Sequence, residues 1–515
     1  MAQRSSINRV RLTSSPSHSI VRFREIDRNA LEKHLFQRYP KREWGTFFRF
    51  GWRRTTWGVA LFFVDALWPG PGDLDRQTSL TTFTEQYSRR AFEAARNGEG
   101  LGVGVIHSHP AGYGVLPSEL DDDMDLYFGK ELVNFASGAP YASLIFQRSD
   151  ELGFTFSGRV FDRGEWLPVT EFLTSGDVRL FRESHDLNGG DLEVASSFEA
   201  DRHETVARLT SLMGEHSAKR LRSSVVGVVG CSGTGSPAIE VLTRAGVGEF
   251  VLVDPDRISK SNLERVHGSY WKHVSGNEFP LKVDLMRQMI LEINPSAKVT
   301  SFAGNILHEN VLDEFIRCDA LMTCVDTEHG RVAASDFAKH YLLPSVDLGV
   351  RMSGRDGKVT EQIVDLTVFS PERPCAFCGR RIDTAVLAVE LMTEEEKERR
   401  KQQAYAAIER GANPDHYWRN LPRQLHTVGY LTTAVGGLAA GYLEGWLTGT
   451  FTIPHSTMQF DPSKANFGMV TPERTFSVAC TCRDKIGWGD AARSYRNISL
   501  PSHWSKRAVI RSKRV

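Results

Sequence analysis

Cysteine is scarce in this chain, with seven in 515 residues. That is too few for a disulfide scaffold, and four of the seven fall in two tight pairs, Cys375/Cys378 and Cys480/Cys482. Such spacing suits a reducing compartment and a metal. Net charge is missing as well: 63 basic and 63 acidic side chains cancel, so no domain-wide basic footprint invites nucleic acid. No apolar run reaches the ~20 residues of a membrane span. The longest uncharged stretch, from about Thr427 to Leu443, is broken by Gly429, Gly436, Gly437 and Gly441, and reads as a buried helix whose glycines let a neighbour come close. The opening residues, MAQRSSINRV, carry no apolar signal core. The apolar content of 41% and the ten Trp exclude a mostly disordered chain. The expectation is a multidomain cytoplasmic protein that engages neither membrane nor nucleic acid.

At ~100–200 residues per domain, the length predicts two to four domains. Residues 20–175 mix short apolar strands (Val59–Val64, Gly102–Ile106, Ala142–Phe146) with Gly/Pro punctuation at WPGPGD. Residues 176–200, with Gly189-Gly190, read as a polar linker. A second domain over 201–488 opens with a helix-like segment. It continues through the strand Val225–Gly230, a glycine-rich turn, a helix over Ala238–Ala245 and the strand Glu249–Asp254. That succession is a βαβ unit of a parallel sheet, so the expected class is α/β. The charged run 391–412 reads as a solvated helical face, and 489–515 as a basic, solvated tail.

The segment GVGVIHSHPAGYGVLPSELDDDMD places His107 and His109 two residues apart after an apolar strand. In extended chain both point the same way and can offer nitrogens to one cation, with Asp121 adding an oxygen. Asp122 and Asp123 are competing carboxylates. Two His, one carboxylate and an open position describe a catalytic zinc, which lowers the pKa of its water to about 7. HSHP followed by Ser118-Glu119-Leu120-Asp121 resembles the JAB/MPN (JAMM) metalloprotease motif, over roughly residues 25–160. The resemblance implies zinc on His107, His109 and Asp121, an oxyanion contact from Ser118, and a general base at Glu43, with Glu25 as a weaker candidate.

In VVGVVGCSGTGS, Gly230, Gly233 and Gly235 stand at a strand-to-helix turn where backbone N–H groups can approach phosphate. Asp254 ends the next strand and suits a ribose hydroxyl. Then follow Asp256, Asn262 and Arg265 in DPDRISKSNLER, Lys282, and Asp326 five residues before Arg331. This succession resembles the ubiquitin-activating superfamily of ThiF/MoeB type, over about residues 200–485. The resemblance implies a Rossmann-like adenylyltransferase that uses ATP and Mg²⁺. Arg265 and Lys282 would neutralise phosphate, Asp326 would be the magnesium-binding catalytic Asp, and Asp256 and Asn262 would line the site. Arg202 would reach the partner's ATP in a homodimer. Ser232 stands where the family's loop usually has a second glycine.

The cysteine pairs Cys375/Cys378 and Cys480/Cys482 resemble the same family's structural zinc site, a closed set of four thiolates. Thioester-forming relatives place a nucleophilic Cys between the two pairs. Here residues 379–479 contain no Cys, and the stretch near the expected position reads QLHTVGYLTTAVGG. An acyl-adenylate passed on without an enzyme thioester is therefore expected.

A hydrolase and an adenylyltransferase in one chain would share one substrate, the C-terminus of a ubiquitin-like protein ending in Gly. The pairing resembles bacterial ubiquitin-like conjugation modules, some linked to antiphage defence, with a ubiquitin-conjugating-like enzyme as a further partner. Two alternatives stand beside it: activation of a sulfur carrier for cofactor or cysteine synthesis, and a non-catalytic scaffold that binds a ubiquitin-like protein.

Overall fold

The computed structural model describes residues 17–74, 82–96, 99–135, 138–149, 153–176, 180–184, 204–411, 427–472, 475–492 and 507–512. Among these, the first half holds β1 (His18–Arg24), α1 (Glu25–Leu35), β2 (Trp44–Arg54), β3 (Gly58–Leu67), α2 (Glu85–Arg96), β4 (Gly102–Ser108), α3 (Glu119–Phe135), β5 (Tyr141–Ser149), β6 (Gly153–Asp162), β7 (Glu165–Ser175) and β8 (Leu180–Ser184). They form a mixed sheet in the order β1-β3-β2-β4-β5-β6-β7-β8, with β7 also pairing β1, so the sheet curls back on itself. Side chains alternate across it, as period-two geometry requires. In β2, Phe47 packs toward α2 and α3, while Phe48 and Phe50 join Leu31 and Leu35 of α1 on the other face.

The second half comprises α4 (Ala207–Met213), α5 (Glu215–Ser223), β9 (Val225–Val229), α6 (Gly235–Arg244), β10 (Glu249–Val253), α7 (Lys282–Ile293), β11 (Lys298–Ala303), α8 (Glu309–Phe315), β12 (Ala320–Thr323), α9 (Glu328–His340), β13 (Ser345–Arg355), β14 (Lys358–Phe369), α10 (Thr384–Glu390), α11 (Glu394–Glu409), α12 (Gly429–Thr448), β15 (Thr457–Phe460) and β16 (Val509–Ser512). The sheet order is β15-β14-β13-β12-β9-β10-β11-β16. β9 to β13 run parallel and β14, β15 and β16 antiparallel. β9 and β10 are buried along their whole length, as parallel strands covered on both faces must be. Two of the α12 glycines do what the sequence suggests: a Cβ at Gly429 would lie 2.4 Å from the Glu264 carbonyl and one at Gly436 2.6 Å from Pro237, whereas Gly437 and Gly441 have nothing within 4 Å. The charged run forms α11, in which Ala404 is the buried residue.

Two stretches differ from expectation. Residues 180–184, inside the stretch read as linker, pair with β7 as β8. Val509–Ser512, inside the tail read as solvated, pairs with β11, and Ala508 exchanges two hydrogen bonds with the Asn310 side chain. Both strands satisfy an otherwise open sheet edge, a gain that local composition does not reveal.

The halves share a core. The outward residues of β1 and β3, Ile20, Ala60 and Phe62, cluster with Phe315, Leu321 and Tyr341. Arg22, fully buried, donates to the carbonyls of Ile316 (3.0 Å), Cys318 (2.5 Å) and Leu342 (3.3 Å). Arg53 pairs with Glu309, Asp313 and Asp490. The segment Ile486–Gly489 is held between β2 and the end of α9. Gly51 N–H donates to the Gly487 carbonyl (3.1 Å), and Gly487 and Gly489 donate to Lys339 and His340. A Cβ at Gly51 would come within 2.1 Å of the Trp488 backbone. No helix among the described residues is long and apolar enough to cross a membrane.

Because Arg22 serves carbonyls of the other half, Arg22→Met should lower stability by about 3 kcal/mol, and calorimetry should show one joint transition for both halves. A second expectation concerns Glu444, buried on α12, whose carboxyl is pushed by desolvation from 4.5 up to about 7. The folded chain then holds an extra proton between those two values. Stability should therefore fall as pH rises from about 4.5 to about 7 and stay reduced above. Glu444→Gln should flatten that slope and raise stability at pH 8 by on the order of 2 kcal/mol, read by urea titration.

Candidate functional site

β10 and β12 flank β9 on opposite sides, so the chain reverses its direction of winding there and opens a crevice at the strands' C-terminal ends. Gly230 follows β9, Asp254 follows β10 and Asp326 follows β12. Gly230 has φ +90°, and a Cβ there would strike the Cys324 carbonyl at 2.4 Å. A Cβ at Gly235 would meet the Gly230 carbonyl at 2.0 Å, so the turn closes only with glycine at both positions. Gly233 has the Arg265 side chain against it, 2.9 Å from where its Cβ would be.

The buried Asp254 braces this loop. Its Oδ2 accepts from Cys231 N–H (2.7 Å) and its Oδ1 from Asp256 N–H (2.8 Å). Asp254 thus spends acceptor capacity on the backbone, a role additional to the ribose contact expected of it. Burial raises its pKa, opposed by Lys282 and those two N–H groups. Lys282, at the start of α7, donates to Asp256 Oδ2 at 2.7 Å. Burial alone would lower its pKa, but Asp254 and Asp256 raise it. Asn262 accepts from Ser259 N–H (3.1 Å) and closes the turn from which Arg265 projects. Asp326 is exposed at the crevice mouth. Arg202 lies outside the described residues.

In the first half, β2 pairs antiparallel with β4, placing Trp44 opposite Ser108 and Gly45 opposite His107. Glu43, just ahead of β2, therefore falls beside the histidine pair. It lines a cleft of about 910 Å³ together with His107, Asp121, Phe83, Phe92 and Tyr127. His107 Nε2 lies 3.3 Å from His109 Nε2 and 3.1 Å from Asp121 Oδ1, and His109 Nε2 lies 3.5 Å from Asp121 Oδ2. All three residues are buried, and their ligand atoms fall within 4.8 Å of one another. His109 Nδ1 is 2.9 Å from the Gly114 carbonyl, an outer contact that orients the ring.

Ser118 and Asp121 form a capping box at the start of α3. Ser118 N–H and Oγ–H both donate to Asp121 Oδ2, at 2.7 and 2.6 Å, and Asp121 N–H donates back to Ser118 Oγ at 3.3 Å. The Ser118 hydroxyl thus positions Asp121, a role additional to the oxyanion contact that the resemblance implies. Burial works to raise the Asp121 carboxyl, yet His107, with hydrogen bonds from His107, His109 and Ser118, holds it well below the usual range. Of the competing carboxylates, Asp123 is exposed and lines the same cleft, while Asp122 is drawn away. Asp122 is tied to Arg159 at 2.5 Å. Glu25 stands against Gly176 at the start of α1.

The four paired cysteines converge, with Cys375 Sγ 3.7 Å from Cys480 Sγ and Cys378 Sγ 3.8 Å from Cys482 Sγ, a donor set suited to tetrahedral zinc. The other three are buried, and burial pushes each thiol up, Cys318 to about 12. None is poised as a thiolate.

Sequence reasoning passed over Asp347 on β13, fully buried, paired with Arg331 at 3.3 Å and pushed up by burial to about 6. A lone Asp in an apolar strand carries no motif, so only the fold could single it out. It also passed over His267, Glu240 and Thr433, which three separate elements bring together.

Residues 206–482 match the ThiF family. The chain is 29% identical over 214 residues to the adenylyltransferase and sulfurtransferase UBA4 of Vanderwaltozyma polyspora, covering 42% of this chain and 46% of that protein. It is 30% identical over 177 residues to the UBA4 of Kluyveromyces lactis, covering 34% and 37%. The chain thus spans less than half the length of these relatives. Among solved structures, E. coli MccB with MccA superposes at a TM-score of 0.42 with 16% identity, covering 55% of this chain and 74% of that one. The family match takes in the glycine loop, Lys282, Asp326 and all four clustered cysteines, and it spans more than half of the residues: this chain belongs to the ThiF family.

Proposed function

We propose that the second half adenylates the C-terminal carboxylate of a small ubiquitin-like or sulfur-carrier protein. The observation that carries this reading is the crevice itself. A glycine loop braced by Asp254, with Arg265 against it and Lys282 at its rim, stands at the point where β9 parts β10 from β12. In the reaction a carboxylate oxygen attacks the α-phosphorus of ATP and pyrophosphate leaves. Arg265 and Lys282 neutralise charge that builds on the phosphates, and loop N–H groups orient them. Asp326 would hold Mg²⁺, which when bound offsets further phosphate charge. Arg202 would belong to the partner subunit's site in a homodimer.

For the first half the proposed activity is zinc-dependent cleavage beyond or after the same terminal glycine. His107, His109 and Asp121 would hold the metal, which supplies Lewis acidity and lowers the pKa of water. Glu43 would accept the proton of the attacking water, Ser118 keeps Asp121 aimed, and the cleft between α2 and α3 gives an extended chain access. The two activities together suit a cytoplasmic bacterial modification module that works with a conjugating-like enzyme, and a defence role is one setting for it. The yeast relatives are named for sulfurtransferase as well as adenylyltransferase activity, which favours sulfur-carrier activation as the second reading.

ATP–pyrophosphate exchange with small proteins ending in Gly should be stimulated by one of them, and Asp326→Ala or Arg265→Ala should lower it at least about 100-fold. A thiocarboxylate product, seen by mass spectrometry when a sulfur donor is added, selects the sulfur reading. Absence of both exchange and cleavage leaves the scaffold. Glu43→Gln should slow cleavage of C-terminally extended modifiers about 100-fold or more. Elemental analysis should find two zinc ions per chain. Cys378→Ser should lose one together with several degrees of Tm, since a closed thiolate site contributes folding energy. His107→Ala should lose the other with little change in Tm.

A further inference from the structure

In the interval between the two cysteine pairs, which contains no Cys, Thr432 and Thr433 stand in the second turn of α12. The two hydroxyls have different partners. Thr432 Oγ1 donates back to its own helix, at the carbonyls of Val428 (3.3 Å) and Gly429 (3.1 Å). Thr433 Oγ1 instead lies 2.9 Å from His267 Nε2, and His267 Nδ1 lies 2.8 Å from Glu240 Oε2. The other Glu240 oxygen accepts from Arg244 Nε (3.0 Å) and NH2 (2.7 Å), which fixes the carboxylate, while His267 N–H donates to Ser236 Oγ (2.9 Å), which fixes the turn. The result is a hydroxyl, an imidazole and a carboxylate in series, from α12, the turn after Arg265, and α6. That is the arrangement by which a nucleophile, a base and an orienting acid work together.

The series sits beside the proposed nucleotide crevice. The methyl of Thr432 lies 3.3 Å from where a Cβ of Gly233 would stand, and Arg265, two residues before His267, covers the same glycine. The side chains of His267 and Glu240 are 30% and 25% exposed, and Thr433 is exposed, so a substrate can reach them.

We propose that Thr433 is an acyl acceptor, taking the activated carboxyl group from the adenylate as an oxyester on the enzyme; this rests on the adenylation reading above. In the step, Thr433 Oγ attacks the carbonyl carbon of the acyl-adenylate and a new C–O bond forms. The bond from that carbon to the phosphate oxygen breaks, and AMP leaves with the electron pair. The hydroxyl proton passes to His267 Nε2, and Glu240, accepting from Nδ1–H, stabilises the imidazolium. An incoming amine or thiol then displaces Thr433 and takes the acyl group onward.

The test supplies the activated group directly, which separates this proposal from the adenylation reading. The full chain is incubated with synthetic N-acetylglycyl-adenylate and read by intact-mass and peptide-mapping mass spectrometry. One acetylglycyl group on Thr433, stable to dithiothreitol and released by hydroxylamine, is the expected result. Thr433→Ser should retain acylation, Thr433→Val should abolish it, and Thr433→Cys should carry the group as a thioester. His267→Gln should slow acylation about 100-fold, the scale of lost general-base catalysis, with unchanged Tm showing that the fold persists. An acyl group that persists in Thr433→Val, appears at another residue, or fails to form on the wild-type chain overturns the proposal. ATP–pyrophosphate exchange on the wild-type chain judges the adenylation reading separately, whatever the fate of Thr433.

Discussion

Buried backbone carbonyls must find donors, and those of Ile316, Cys318 and Leu342 find theirs on Arg22, 294 to 320 residues earlier in the chain. Neither half can be desolvated correctly without the other, and the rest of the arrangement follows. Two of these carbonyls, of Ile316 and Cys318, lie just ahead of β12, and Asp319, in the same stretch, accepts from the first N–H of β9 and pairs with Arg182. The first half therefore docks against the N-terminal ends of the central parallel strands. Their C-terminal ends, where Gly230, Asp254 and Asp326 stand, are left free for a ligand.

A second constraint recurs at Asp121, Asp254 and Glu240: each carboxylate is held by donors outside the proposed reactions. Asp121 is fixed by both donors of Ser118, Asp254 by two loop N–H groups, and Glu240 by Arg244. Such bracing sets orientation before a substrate or metal arrives, so binding energy need not be spent on ordering the site. It also gives Ser118 a positioning role beside the one its motif implies. At the first turn of a helix, the hydroxyl and the carboxylate three residues on satisfy each other.

Much of this was legible in advance because it depends on local spacing. The HxH pair shares a side because β4 is extended, the Gly-rich turn follows an apolar strand, and the CxxC and CxC pairs announce themselves by number alone. Glu43 was named only through the motif resemblance, and the pairing of β2 with β4 is what sets it beside His107. What stayed hidden depends on contacts between distant segments. β8 and β16 look polar and become strands only because a sheet edge awaits them. Asp347 is one acid in an apolar strand until Arg331 is folded beside it. His267, Glu240 and Thr433 are unremarkable singly, and no periodicity links α6, a turn and α12.

The sequence by itself determined the α/β class, the βαβ start of the second half, the metal-type donor sets and the absence of a cysteine between the two pairs. Each of these is set by residue identity at short separation, where backbone geometry leaves few options. Only the tertiary structure decided that the halves form one body, that Ser118 serves Asp121, and that a threonine of α12 faces an imidazole. Those outcomes depend on which buried polar groups meet across hundreds of residues, and burial is a property of the packed chain, not of its order.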